Sequence, residues 1–199
     1  PWRFFKAPGE PDIIVVAGAA GSGKTTFAAK LERELVREGA VAGKTVRISL
    51  DDFLLPRTVR REGRLRGTAA FDQRRLEHAM SVIRSGGITT LPRYVPENGA
   101  IAETDPNDFS KVKTVILEGA FPLSFQSVLS AGDLEIFIYE NAQTQYESRQ
   151  TRDPKERGYR PEQVAFSFVE VGLKETLPLV SRDLHAFDWI VHESRDPFG

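Results

Sequence analysis

The chain contains no cysteine in 199 residues. That excludes disulfides, thiolate nucleophiles and cysteine-based zinc sites, and it fits a reducing compartment, so a cytoplasmic location is the expectation. Histidine is scarce too. His78, His185 and His192 are scattered, without a partner at ligand or catalytic spacing, so all three read as structural or surface residues. No apolar run approaches the roughly 20 residues that cross a bilayer. The opening Pro1-Trp2-Arg3-Phe4-Phe5-Lys6 is too short, and its sequel too polar, for a signal peptide. Excess charge is also missing. With 27 basic residues against 28 acidic ones, bulk charge gives no reason to expect nucleic acid or a membrane surface as partner. Internal repeats and low-complexity tracts are absent. The length suits one α/β domain over residues 1–199, with ample material for a core.

What is present is concentrated first in Gly18-Ala19-Ala20-Gly21-Ser22-Gly23-Lys24-Thr25. This reads G-x-x-x-x-G-K-T, the phosphate-binding loop of P-loop NTPases. Its glycines let backbone N–H groups converge on phosphate oxygens. Lys24 can reach the outer phosphates, and the Thr25 hydroxyl can bind Mg²⁺. The flanks agree. Asp12-Ile13-Ile14-Val15-Val16-Ala17 is a short apolar, β-branched run, as a strand buried on both faces requires. After the loop, Phe27, Leu31 and Leu35 recur every four residues with Ala28 beside them, and Gly39 marks a helix stop.

Four further strands are expected: Thr45–Leu50, Thr114–Leu117, Leu134–Ile138 and Phe187–Val191. Between them, Leu76, Ala79, Met80 and Ile83 mark a helix ended by Gly86-Gly87. Residues 122–130 and 143–152 give weaker helices, and residues 161–173 give one starting at Pro161. Alternating strands and helices predict a parallel sheet wrapped on both sides, with its ligand site beyond the carboxyl ends of the strands. Residues 52–70, with Arg57, Arg60, Arg61, Arg64 and Arg66, fit neither pattern; without interleaved aromatics for base stacking they read as a solvated, mobile loop that could fold over substrate rather than as a nucleic-acid patch, the alternative. Asn98-Gly99 signals a small hairpin within 88–102.

The search for chemistry therefore falls just after each strand. Asp51-Asp52 follows the second. Asp51 could accept the proton of a substrate hydroxyl as that oxygen attacks the γ-phosphorus, although aspartates there also cap turns. Glu118 ends the third strand, as a Walker B residue that bonds Mg²⁺ or its water would. The stretch from Arg149 to Arg160 carries four arginines, with Arg149 and Arg152 on one helix face. Pro154 and Gly158 would break the helix there, giving a hinged lid over the nucleotide. An ordinary charged helix end is the alternative.

These pieces, in this order, resemble the uridine kinase and phosphoribulokinase group of P-loop kinases, to which bacterial pantothenate kinase is related. The matching items are Gly18 to Thr26, Ser49–Phe53, Ala70-Phe71-Asp72, Leu91-Pro92-Arg93-Tyr94, Ile116–Gly119, and Arg152-Asp153 with Glu156-Arg157-Gly158. The resemblance implies a three-layer α/β/α fold around a five-stranded parallel sheet of order 2-3-1-4-5, with a small hairpin, a substrate-side insertion at about 52–102 and a lid at about 149–160. It implies ATP held by residues 18–26, Arg149 and Arg157; Mg²⁺ at Thr25 and Glu118; catalysis by Asp51, Lys24 and Arg152; and Asp51, Asp72 and Tyr94 at the acceptor, Asp72 being alternatively a helix cap.

The chain departs from uridine kinases where the acceptor is chosen. Leu54 stands where they carry Tyr, and Tyr94 is followed by Val95-Pro96-Glu97-Asn98-Gly99-Ala100 without the base-holding His. The implied activity is Mg·ATP-dependent phosphoryl transfer to a hydroxyl of a small molecule, with the nucleoside-reading residues altered. A nucleotide-dependent regulator or accessory ATPase is the competing function. A GTPase is disfavoured, because Tyr139-Glu140-Asn141-Ala142 stands where Asn-Lys-x-Asp would read guanine. A homo-oligomer is left open.

Overall fold

The computed structural model describes residues 10–37 and 45–192. The expected stop at Gly39 lies outside them. In chain order the elements are β1 (Asp12–Ala17), α1 (Lys24–Arg37), β2 (Thr45–Ser49), α2 (Arg57–Glu62) and α3 (Gln73–Arg84). Four short strands follow: β3 (Ile88–Thr89), β4 (Pro92–Val95), β5 (Ala100–Glu103) and β6 (Asn107–Asp108). The chain then forms β7 (Thr114–Gly119), α4 (Gln126–Ala131), β8 (Leu134–Tyr139), α5 (Ala142–Arg157), α6 (Pro161–Ser167), α7 (Leu177–Asp183) and β9 (Trp189–His192).

The main sheet runs β2-β7-β1-β8-β9 with every pair parallel. Counting only its own strands in chain order, that is 2-3-1-4-5. The central strands are largely apolar because both their faces are covered. Along β1, Ile13 and Val15 join the core under α3 and α4, with Leu76, Ala79, Met80, Ile83 and Val128. Ile14 and Val16 point the other way, onto Phe27, Ala28, Leu31 and Leu35 of α1. Helices thus cover both faces. Ile13, Val15 and Val16 are wholly buried, and each such side chain contributes on the order of 1.5–3 kcal/mol of transfer free energy.

Three local expectations are corrected. Residues 52–70 are largely solvated, as expected, but they are not an irregular loop. They hold two 3₁₀ turns around α2, and Arg57 and Arg60 fasten α2 to the β4–β5 hairpin through Pro96 and Tyr94. Pro154 does not break its helix, since α5 continues to Arg157 and ends at Gly158, which is left-handed. A proline forfeits one ladder bond, here to the carbonyl of Gln150, and that residue is exposed to water. The helix expected over 161–173 is regular only to Ser167. A nine-residue π-helical stretch, Phe168–Thr176, leads into α7, ending two residues before Pro178, which has no N–H for the ladder.

Candidate active site

β1 delivers the loop of residues 18–25 at its carboxyl end, and α1 starts at Lys24. Gly21 has φ +90°, and a Cβ there would lie 2.6 Å from the Gln145 carbonyl oxygen of α5, so only glycine permits this approach. The loop is built to take a polar anion. The Ser22 hydroxyl is buried without a hydrogen-bond partner, a condition that normally costs stability unless a ligand satisfies it. Lys24 is half-buried and has no ion pair among the described residues. A triphosphate supplies acceptors for both, so the loop fits the group.

β7 lies beside β1 in register, with Val16 opposite Glu118. That pairing carries Glu118, 5% exposed, to the loop, where the Thr25 hydroxyl donates to its Oε2 at 3.2 Å. The two expected metal ligands, 93 positions apart, therefore touch. Two oxygen donors of this kind suit Mg²⁺, which takes one or two protein ligands and completes its shell with phosphate and water.

Beyond β2, the backbone turns through Leu50–Phe53 as a 3₁₀ helix. Gly119 follows Glu118, and a Cβ on it would come 2.6 Å from Leu50 Cβ. The missing side chain lets this turn close against the end of β7. Asp51 is exposed on the turn and Asp52 is half-buried. The two differ in role. Asp52 Oδ1 accepts the Tyr94 N–H at 3.0 Å, tying the turn to β4. Burial pushes the Asp52 carboxyl above the ordinary range; the Tyr94 N–H offsets part of this, and the neighbouring Asp51 charge adds to it. Asp51 keeps its carboxylate in the open.

The other expected residues fall as follows. Asp72 is the N-cap of α3, its Oδ1 accepting the Arg75 N–H at 3.0 Å. Tyr94 presents its hydroxyl to Arg60 at 2.7 Å. Arg149 is buried; its Nε reaches Asp153 Oδ2 at 3.2 Å and its Nη2 donates to Ser167 at 2.8 Å. Arg152 donates to Asp153 Oδ1 through Nε at 2.9 Å and Nη2 at 2.6 Å. Arg157 ends α5, and its side chain lies outside what the structure describes. Asp153, the wholly buried hub of these arginines, entered the sequence reading only as part of a motif, without a role, although its i, i+4 spacing from Arg149 was a usable signal. A cavity of about 210 Å³ opens beside the loop, walled by Ala19, Ala20, Tyr139, Arg149, Phe168 and Leu177 among others.

Comparison with known proteins agrees with this fold. Residues 13–194 match the Phosphoribulokinase / Uridine kinase family. The chain belongs to that family. It is 30% identical over 169 residues to a uridine kinase of Staphylococcus epidermidis, covering 80% of this chain and 76% of the relative. A uridine kinase of Deinococcus deserti is 29% identical over 163 residues, at 80% and 77% coverage. In fold it resembles the solved structure of a possible uridine kinase from Bacillus stearothermophilus, with TM-score 0.69 and 18% identity over 94% of this chain and 91% of that one. The chain is thus a P-loop kinase, and no helix among the described residues is long and apolar enough to cross a membrane.

Proposed function

We propose that this kinase moves the γ-phosphoryl group of ATP to a hydroxyl of a small molecule, with Mg²⁺, as one cytoplasmic domain. The observation that carries the reading is the Thr25–Glu118 contact at the mouth of a loop whose Ser22 and Lys24 are uncommitted. The amides of residues 18–25, Lys24 and Ser22 would hold the triphosphate, and Thr25 and Glu118 the metal. When bound, Mg·ATP supplies the transferable phosphoryl group and part of the charge neutralisation. The protein's own share is positioning and electrostatics. Asp51 takes the proton of the acceptor hydroxyl. Lys24 and Arg152 oppose charge developing on the transferred group. Residues 149–160 exclude water as a lid. The apolar cavity beside Ala19 and Ala20 suits a flat base.

Residues 52–102 would receive the acceptor, with Tyr94 in the wall. Uridine is a poor candidate. A site that reads a base edge loses discrimination when its donors are replaced, and here Leu54 and Val95–Ala100 replace them. The test is ADP release from Mg·ATP with nucleosides, sugars, pantothenate and hydroxy acids offered in turn. The expected result is release that depends on one class of acceptor, and loss of it by about 10²–10⁴-fold in Asp51→Asn with ATP affinity retained. Release at one rate whatever is added, or with nothing added, would favour an ATPase switch. Unchanged turnover in Asp51→Asn removes that residue's role.

A further inference from the structure

The acceptor side holds two half-buried guanidinium groups whose partners are all neutral. Arg60 of α2 donates from Nε to the Leu55 carbonyl at 2.8 Å and from Nη2 to the Tyr94 hydroxyl at 2.7 Å, and it lies 5.3 Å over the Tyr94 ring. Arg57, one turn earlier, donates to the Pro96 carbonyl. Neither pairs with a carboxylate among the described residues. A cation drawn partly out of water normally acquires a counter-charge. Arg60 also has donors to spare: a guanidinium carries five N–H groups, and two are engaged. The exposed Arg61, Arg64 and Arg93 add positive charge to the same insertion. The cluster is built in. Arg57 N–H donates to the Gly99 carbonyl at 2.8 Å, closing α2 onto the hairpin.

Tyr94 spans this arrangement. Its backbone N–H meets Asp52, next to the open carboxylate of Asp51, and its phenol meets Arg60. A carboxylate suited to a hydroxyl proton and an uncompensated guanidinium thus stand one tyrosine apart.

We infer that the phosphoryl acceptor is a small hydroxy compound bearing a fixed negative charge, a carboxylate or a phosphate, and that Arg60 binds that charge. The inference rests on the kinase reading above and narrows its acceptor. A planar guanidinium with spare donors suits either anion, whereas a neutral nucleoside offers it uncharged acceptors and no counter-charge.

The test is calorimetric titration of the full chain, with Mg²⁺ and a non-hydrolysable ATP analogue, using matched probes: glycerate against glycerol, and ribose 5-phosphate against ribose. The expected result is that at least one anionic member binds about tenfold or more tightly than its neutral mate. Arg60→Gln should erase that preference, weakening the anion by roughly 10–100-fold. Arg60→Lys should restore much of it, and thermal melts should show all variants folded. Preference in the glycerate pair alone assigns a carboxylate, and in the ribose pair alone a phosphate. No preference in either pair, or one that survives Arg60→Gln, overturns the inference. ADP release with the same compounds keeps the two readings apart. Anion-selective binding lost in Arg60→Gln but without any transfer sinks the transfer reading and leaves Arg60 as an anion site, no longer an acceptor site. Transfer to uridine or glycerol without anion preference sinks only the anion inference.

Discussion

Asp153→Asn should be among the most damaging single changes outside the nucleotide loop. Asp153 is 0% exposed and Arg149 is 3% exposed, and they meet at 3.2 Å. Arg152 joins the same carboxylate at 2.6 Å but is 32% exposed. An exposed ion pair is worth about 0–1 kcal/mol, so freeing Arg152 into water costs little. Arg149 has no such escape. It keeps its bond to Ser167 and its place 5.9 Å over the Phe168 ring, yet it stays buried with a full charge. Removing one partner of a buried pair typically costs about 3–5 kcal/mol, and that range is the expected loss. Urea denaturation followed by circular dichroism measures it. Arg149→Met should cost less, since Asp153 retains Arg152, and the double variant should recover part of the Asp153→Asn loss. A loss below about 1 kcal/mol in Asp153→Asn would refute the argument, for Arg149 could not then be a charge that depends on this carboxylate.

The remaining expectations use the same contacts. Asp72→Ala should cost about 1 kcal/mol, the usual value of an N-cap, in a thermal melt. If capping is its whole role, kcat/KM stays unchanged, and a large fall in kcat/KM would instead place its carboxylate at the acceptor. Asp52 has its pKa raised by folding. Its contribution to stability is therefore full below the ordinary carboxylate value of about 4 and is lost as pH rises through the raised value. Asp52→Asn keeps an oxygen for the Tyr94 N–H, so its melting temperature should climb relative to wild type between pH 4 and pH 7. A gap that stays constant with pH would contradict the assignment. Glu118→Gln should weaken Mg²⁺ binding while leaving the fold intact, read as a higher metal concentration for half-maximal ADP release, and an unchanged requirement would remove Glu118 from the metal site.

The chain's primary order was enough for much of this protein, because the relevant signals are local. Glycine spacing from Gly18 to Gly23 makes an anion cradle wherever it stands between a strand and a helix. The short, β-branched apolar runs at Asp12–Ala17 and Thr114–Leu117 read as strands covered on both faces, and they are; the second extends to Gly119. The turn at Asn98-Gly99 announces its hairpin from two residues. Arginine-rich stretches were less legible, since composition does not say where a guanidinium points. Residues 52–70 looked solvated, yet Arg57 and Arg60 lie against a hairpin some 35 positions away. Arg149 looked like a free lid arginine, and packing sank it beside Asp153. Tertiary structure decided how deeply these guanidinium groups are buried and brought distant residues together. Parallel register put Glu118 against Thr25, and the Tyr94 N–H committed Asp52 while Asp51 stayed open. Such pairings are set by how the sheet closes around its core, and no window of sequence contains both partners.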